Sequence, residues 1–205
     1  MVGRRCRLES LDPARHGASL FAAYQLDQAG LGWTYLPYGP FTDEPTFRSW
    51  LDGIAAKDDP LFHAIVDDGG DAVGVASLMR ISPETGSIEV GHIHYSPRLK
   101  QRPAATEAMY LMMRRVFDEL GYRRYEWKCD SLNAPSRRAA ERLGFTYEGT
   151  FRQHLVTKGR NRDTAWYSII DQEWPDLKDA FEAWLDPANF DARGRQRRRL
   201  EAFRP

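Results

Sequence analysis

No stretch of this chain approaches the ~20 consecutive apolar residues that a membrane span needs, and its N-terminus has no apolar core of a secretion signal. Cysteine is scarce. Cys6 and Cys129 are the only two, with no metal-ligand spacing and too few thiols for a disulfide framework. Cys129 falls in an apolar, strand-like run, where a buried thiol is the ordinary state. Net charge is missing as well: 29 Lys+Arg balance 29 Asp+Glu, which excludes a surface adapted as a whole to nucleic acid or anionic lipid. These absences lead us to expect a soluble, cytoplasmic protein with no membrane partner and no metal, for which nucleic acid is a poor partner.

What is present fits one α/β domain over residues 1–186, followed by a basic tail over 187–205. Asp12-Pro13 reads as a helix start, with Asp12 capping and Pro13 in the first turn. Leu20, Phe21, Tyr24 and Leu26 make the apolar face of that helix. Residues 30–45 are rich in Gly, Pro and aromatics (Trp33, Tyr35, Tyr38, Phe41) and predict a long connecting loop. A second helix follows, with Phe47, Trp50, Leu51 and Ile54 at helical spacing. Three strands joined by Gly-containing turns are expected near 61–66, 72–81 and 87–95. Helical periodicity then covers 106–120, a strand 124–130, a helix 133–143 ended by Gly144, strands 145–156 and 164–170, and a helix 174–185. In the tail, Arg193-Gly194-Arg195-Gln196-Arg197-Arg198-Arg199 reads as a solvated, frayed end. Contact of these arginines with RNA, with the ribosome or with an anionic cofactor is the sharper alternative.

After the strand ending at Tyr95-Ser96-Pro97 comes a polar loop with Arg98, Lys100, Gln101 and Arg102, and a helix opens at about Ala104. The N-terminus of a helix offers unpaired N–H groups and partial positive charge, which suit phosphate oxygens. A basic loop that is simply solvated is the competing reading.

Several motifs recur in one order: Ile88-Glu89-Val90-Gly91, Ala105-Thr106-Glu107-Ala108, Asp118-Glu119-Leu120-Gly121-Tyr122, the run from Asn133 to Phe145, Glu148-Gly149, and the run from Asn161 to Ser168. In this order the chain resembles the GNAT superfamily, and more narrowly the RimJ/RimL-like N-acetyltransferases. The resemblance implies a mixed, mostly antiparallel sheet of about seven strands flanked by helices. It also implies an enzyme that moves acetyl from acetyl-CoA to a primary amine, either a protein N-terminus or a small molecule, with a homodimer as a possible assembly. A non-catalytic acyl-CoA-binding module with the same fold is the alternative.

The same resemblance assigns residues. Backbone groups of Ile93, His94 and Tyr95 contact the pantetheine and thioester, Asn133 hydrogen-bonds the pantetheine arm, and Ser136 protonates the leaving thiolate. Arg98, Lys100, Gln101, Arg102, Ala104, Ala105 and Thr106 hold the pyrophosphate, although Gln101-Arg102-Pro103-Ala104-Ala105-Thr106 lacks the family's glycines. Pro103 has no N–H to donate, so the amides of Arg102, Ala104, Ala105 and Thr106 carry that role, with the basic side chains compensating. Direct transfer requires a neutral amine and so a general base. His94 ranks first, then His154 and Glu89, with His92 and Glu126 as further candidates. Strand alternation puts His92 and His94 on one face and Glu89 on the other. Trp33, Tyr35, Tyr38 and Phe41 are expected to wall the acceptor site.

Overall fold

The computed structural model describes residues 1–204, so of the tail only Pro205 lies outside the described residues. Seven strands form one sheet in the order β1-β2-β3-β4-β5-β7-β6. They are β1 Cys6–Ser10, β2 Leu61–Asp67, β3 Ala72–Ser82, β4 Ser87–Tyr95, β5 Arg124–Asp130, β6 Thr146–Thr157 and β7 Arg160–Ile170. β4 and β5 pair in parallel, and the other ladders are antiparallel. The helices are α1 Pro13–Tyr24, α2 Glu44–Ala55, α3 Pro103–Arg114, α4 Ala134–Leu143 and α5 Trp174–Leu185. This is the expected α/β fold: a seven-stranded, mostly antiparallel mixed sheet flanked by helices.

Local chemistry sets the helix ends. The Asp12 carboxylate accepts from the amides of Ala14 and Arg15, Asp43 from Thr46, and the Asn133 side chain from Ser136. Each satisfies donors that the first turn cannot pair internally. Gly144 closes α4 in the left-handed conformation, φ 100°. Three expected boundaries move. α1 stops at Tyr24, so Leu26 is exposed rather than on its apolar face. α3 begins at Pro103 and runs into a π-turn over Arg115–Glu119. β7 begins at Arg160 instead of Thr164, because Lys158 and Gly159 both take positive φ and make the turn tight.

Two apolar cores sandwich the sheet. On one face, Ile88, Val90, Tyr125, Trp127, Ala165, Tyr167 and Ile169 pack under α3, α4 and α5. On the other, Phe62, Ala64, Val66 and Val75 meet α1, α2 and Trp33. α3 is buried almost all round, from Thr106 to Met113, because sheet, α5 and β1 enclose it. Among the described residues, no helix is long and apolar enough to cross a membrane, and no cluster of three or more His, Cys, Asp or Glu is arranged to hold a metal ion.

Residues 187–204 correct the expectation of a frayed tail. Leu200 is buried in the larger core, with Phe190 and Phe203 packed against it. The Trp184 indole donates to Gln196, Asn189 exchanges hydrogen bonds with the Arg197 and Arg198 backbone, and Arg204 donates to the Glu141 carbonyl. A few apolar anchors spaced between the arginines hold the segment down. At the sheet's far edge β6 presents Tyr147, Phe151, Leu155 and Val156 to solvent.

Candidate active site

β4 and β5 stay paired only from Ser87–Val90 to Arg124–Trp127. Beyond that rung β4 continues along β3 and β5 along β7, so the strands splay and each bares an edge to the gap. An irregularity in β4 marks the place. Val75 pairs with His94 and Ser77 with Gly91, so two steps on β3 face three on β4, and His92 adopts φ 50°. This is a β-bulge, and it resets side-chain alternation. Glu89 alternates with the core residues Ile88 and Val90 and so points to the α1–α2 face. His92 lies against Tyr38 and Phe62, and His94 against Tyr24 and Trp33, also on that face. Strict alternation would have separated Glu89 from the histidines; the bulge brings all three to one side.

The three differ in access. His94 is 3% exposed, its ring 4.2 Å from that of Tyr24 and 3.8 Å from that of Trp33. Burial, reinforced by the Lys100 charge, pushes its pKa down to about 3, and its Nδ1 is buried without a partner. His92 is half-buried, with Nδ1 2.9 Å from the Tyr38 hydroxyl. Burial and then the charges of Arg80, Lys57 and Arg162 bring its pKa to about 4, so the ring is neutral at pH 7. Glu89 is 3% exposed, and its Oε2 receives Arg80 at 2.6 Å and Lys128 at 2.8 Å. His154 stands on β6, separated from β4 by β5 and β7, with Nδ1 2.9 Å from Thr164 Oγ1.

Lys128 is the residue that strand reading passed over. Its ammonium bridges Glu89 and Glu126 (2.7 Å) across the next-to-last rung before the splay and sits 3.9 Å from the Trp166 ring centroid. The alternation of Tyr125, Trp127 and Cys129 with Glu126 and Lys128 was the available signal, since it puts both charges on the face opposite the larger core.

On the larger-core side, the Trp127 indole N–H donates to Ser136 Oγ at 3.0 Å. The serine oxygen is thereby an acceptor and its O–H remains a donor, with the Cys129 thiol within its hydrogen-bonding reach. Asn133 caps α4 through its side-chain oxygen, which leaves its NH2 group for a ligand.

The loop before α3 fits an anion more narrowly than expected. The amides of Leu99 and Lys100 turn inward to Ser96, Arg102 to Leu99, and Ala105 to Arg102. Of the amides proposed for pyrophosphate, Arg102 and Ala105 are therefore occupied. Those of Gln101, at φ 59°, and Ala104 have no protein partner among the described residues. Arg98 is also drawn elsewhere, its guanidinium held by Asp67 at 2.7 Å and Asp71 at 2.9 Å across the β2–β3 turn. Lys100 lies 3.9 Å from Asp27, and the Thr106 hydroxyl accepts from Arg142. Arg102 remains exposed at the helix start.

The aromatic loop divides in two. Trp33 is 3% exposed and, with Phe41, packs into the smaller core; a Cβ on Gly39 would overlap its indole. Tyr38 also packs against that core but directs its hydroxyl to His92 on β4, and Tyr35 donates to the Leu132 carbonyl beside α4. The β6–β7 turn fastens the loop from above, Lys158 Nζ donating to the carbonyls of Trp33 (2.9 Å) and Gly39 (2.8 Å).

Comparison with known proteins gives this geometry a context. The acetyltransferase (GNAT) domain pattern matches residues 5–146. A GCN5-related N-acetyltransferase from Brucella melitensis has a similar structure, TM-score 0.97 at 53% identity, covering 98% of this chain and 92% of its own. A probable GNAT-family acetyltransferase from Chromobacterium violaceum superposes with TM-score 0.79 at 44% identity over 85% of this chain and 87% of its own. RimL, a ribosomal L7/L12 alpha-N-protein acetyltransferase solved with coenzyme A, shares the fold (TM-score 0.70, 20% identity, 84% of this chain and 98% of its own).

Proposed function

The chain belongs to the GNAT acetyltransferase family, and from that membership we propose that it transfers an acetyl group from acetyl-CoA to a primary amine, on a protein N-terminus or a small molecule. The observation that carries this reading is the gap between β4 and β5, with the Ser136 hydroxyl on one side and a neutral imidazole on the other. Acetyl-CoA, when bound, supplies the thioester. The open edge at Ile93–Tyr95 and the Asn133 amide would hold its pantetheine, and the Gln101 and Ala104 amides with Arg102 its pyrophosphate.

In this proposal His92 replaces His94 as the general base. His94 is sealed between two aromatic rings, whereas His92 is only half-buried and is held at Nδ1 by Tyr38, which leaves Nε2 as the nitrogen to take a proton. The amine nitrogen attacks the thioester carbon, the N–H proton passes to His92 Nε2, and the C–S bond breaks. Ser136 gives its hydroxyl proton to the departing sulfur, and solvent restores both groups between turnovers. Glu89, with Oε2 fixed by Arg80 and Lys128, stiffens the ladder beyond which the gap opens.

The test is Ser136→Ala. We expect kcat to fall on the order of 10²-fold, as removal of a general acid does, while acetyl-CoA affinity measured by calorimetry changes little. An unchanged kcat removes Ser136 as the acid. Two inward-turned amides in the loop favour a second reading, a non-catalytic acyl-CoA-binding module; thermal stabilisation by acetyl-CoA without acetylation of any amine would establish it.

A further inference from the structure

The chain is neutral overall, yet its charges are segregated around the α1–α2 side of the gap. The β6–β7 hairpin carries Arg152, Lys158, Arg160 and Arg162 against two carboxylates, Glu148 and Asp163, and Glu148 is held by Arg124 and Ser168. Asp163 is engaged locally, accepting from the Gln153 amide and the Asn161 side chain. Lys158 and Arg160 are committed to backbone carbonyls of the aromatic loop. Arg162 is tethered through Nε to Thr164 Oγ1, and no carboxylate pairs with it among the described residues.

The other elements facing His92 repeat the pattern. Glu89 and Glu126 are neutralised by Arg80, Lys128 and Arg124. Asp59 accepts from the amides of Arg80 and Ile81. Asp58 is exposed beside Lys57, and Asp27, near His94, accepts from the amides of Leu31 and Gly32 and lies 3.9 Å from Lys100. The charges that act most on the His92 ring, those of Arg80, Lys57 and Arg162, are positive, and of the three only Arg80 is paired, among the described residues, with a carboxylate, Glu89. They come from three elements: β3, the end of α2 and β7.

Resting on the acetyltransfer reading, we infer that the acceptor is an amine carrying a carboxylate a short distance from its reactive nitrogen, and that Arg162 with Lys57 selects it. Such a field attracts an anionic group and repels a second ammonium. It also disfavours the protonated form of the arriving amine, which must be neutral to attack. A polyamine is the acceptor this rim rejects. The carboxylate has two possible sources, an acidic protein N-terminus or a small amino acid, and the experiment separates them.

The test measures kcat/KM with acetyl-CoA for matched acceptors. One arm uses short peptides with free N-termini and Asp/Glu, Asn/Gln or Lys at the second to fourth positions. The other uses dicarboxylic amino acids against their amides, with spermidine as the cationic amine. We expect the acidic member of at least one arm to exceed its uncharged match by about tenfold at low salt, with the advantage shrinking as NaCl is raised. Which arm shows it identifies the source. Arg162→Gln should reduce that ratio, and Arg162→Glu should shift preference toward the Lys peptides or spermidine. Turnover indifferent to acceptor charge, or highest on spermidine, overturns this inference alone. No turnover on any acceptor overturns the acetyltransfer reading and this inference with it.

Discussion

His63, His92 and His94 are held neutral by the fold, with pKa values brought to about 4, 4 and 3, in each case chiefly by burial. An unfolded chain protonates these rings near pH 6.5. Their contribution is therefore complete above about pH 6.5 and is lost as pH falls from there toward 4 and 3, since the unfolded state takes up protons first. With all three titrating, stability should decline by at most about 4 kcal/mol per pH unit in that window, and by less where a ring is partly solvated. Urea unfolding at pH 7, 6 and 5 checks this, and a midpoint that stays level overturns it. The same residues show what could be read in advance. Position near the gap singled out His94, and β4 does pass there. Its enclosure by Tyr24 and Trp33 depends on contacts 70 and 61 positions away in the chain, which no local pattern records.

At the scale of elements, strand and helix identities were legible because alternation, caps and turn residues are local. Asp12, Asp43, Asn133 and Gly144 each do what their chemistry predicts. The β4 bulge had one local signal, a lone Gly91 inside a strand, but not its position or sense, and it moves every later side chain of β4 to the other face. Glu107 is a parallel case. It stood inside a quoted motif without a role, and the structure gives it one. Its buried carboxylate accepts the amides of Arg4, Arg5 and Cys6, fixing the start of β1 against α3. Glu107→Ala strands these donors and should cost about 2–4 kcal/mol. Glu107→Gln, which keeps an acceptor oxygen, should cost less. Chemical denaturation gives the totals, and faster amide exchange at Arg4–Cys6 would locate the effect; equal stability of both variants with the native chain would refute it.

Across the whole molecule, the least legible part was the end. A run of arginines advertises solvation, whereas Phe190, Leu200 and Phe203 are too sparsely spaced to form a periodic signal. They nevertheless close the larger core beside Trp184. Leu200, at 1% exposure, should cost about 2–4 kcal/mol when replaced by Ala. Ending the chain at Asp186 should lower the melting temperature further by uncovering Trp184. A truncated protein that melts with the full chain would mean the segment is only draped over the core.

The edge at β6 has a consequence of another kind. A protein with a sequence pI near 7.0 has almost no long-range repulsion between its copies at neutral pH. Phe151, Leu155 and Val156 are then among the groups that meet first when two molecules collide edge to edge, with no net charge to turn them aside. The balance of 29 against 29 therefore governs colloidal behaviour as well as chemistry.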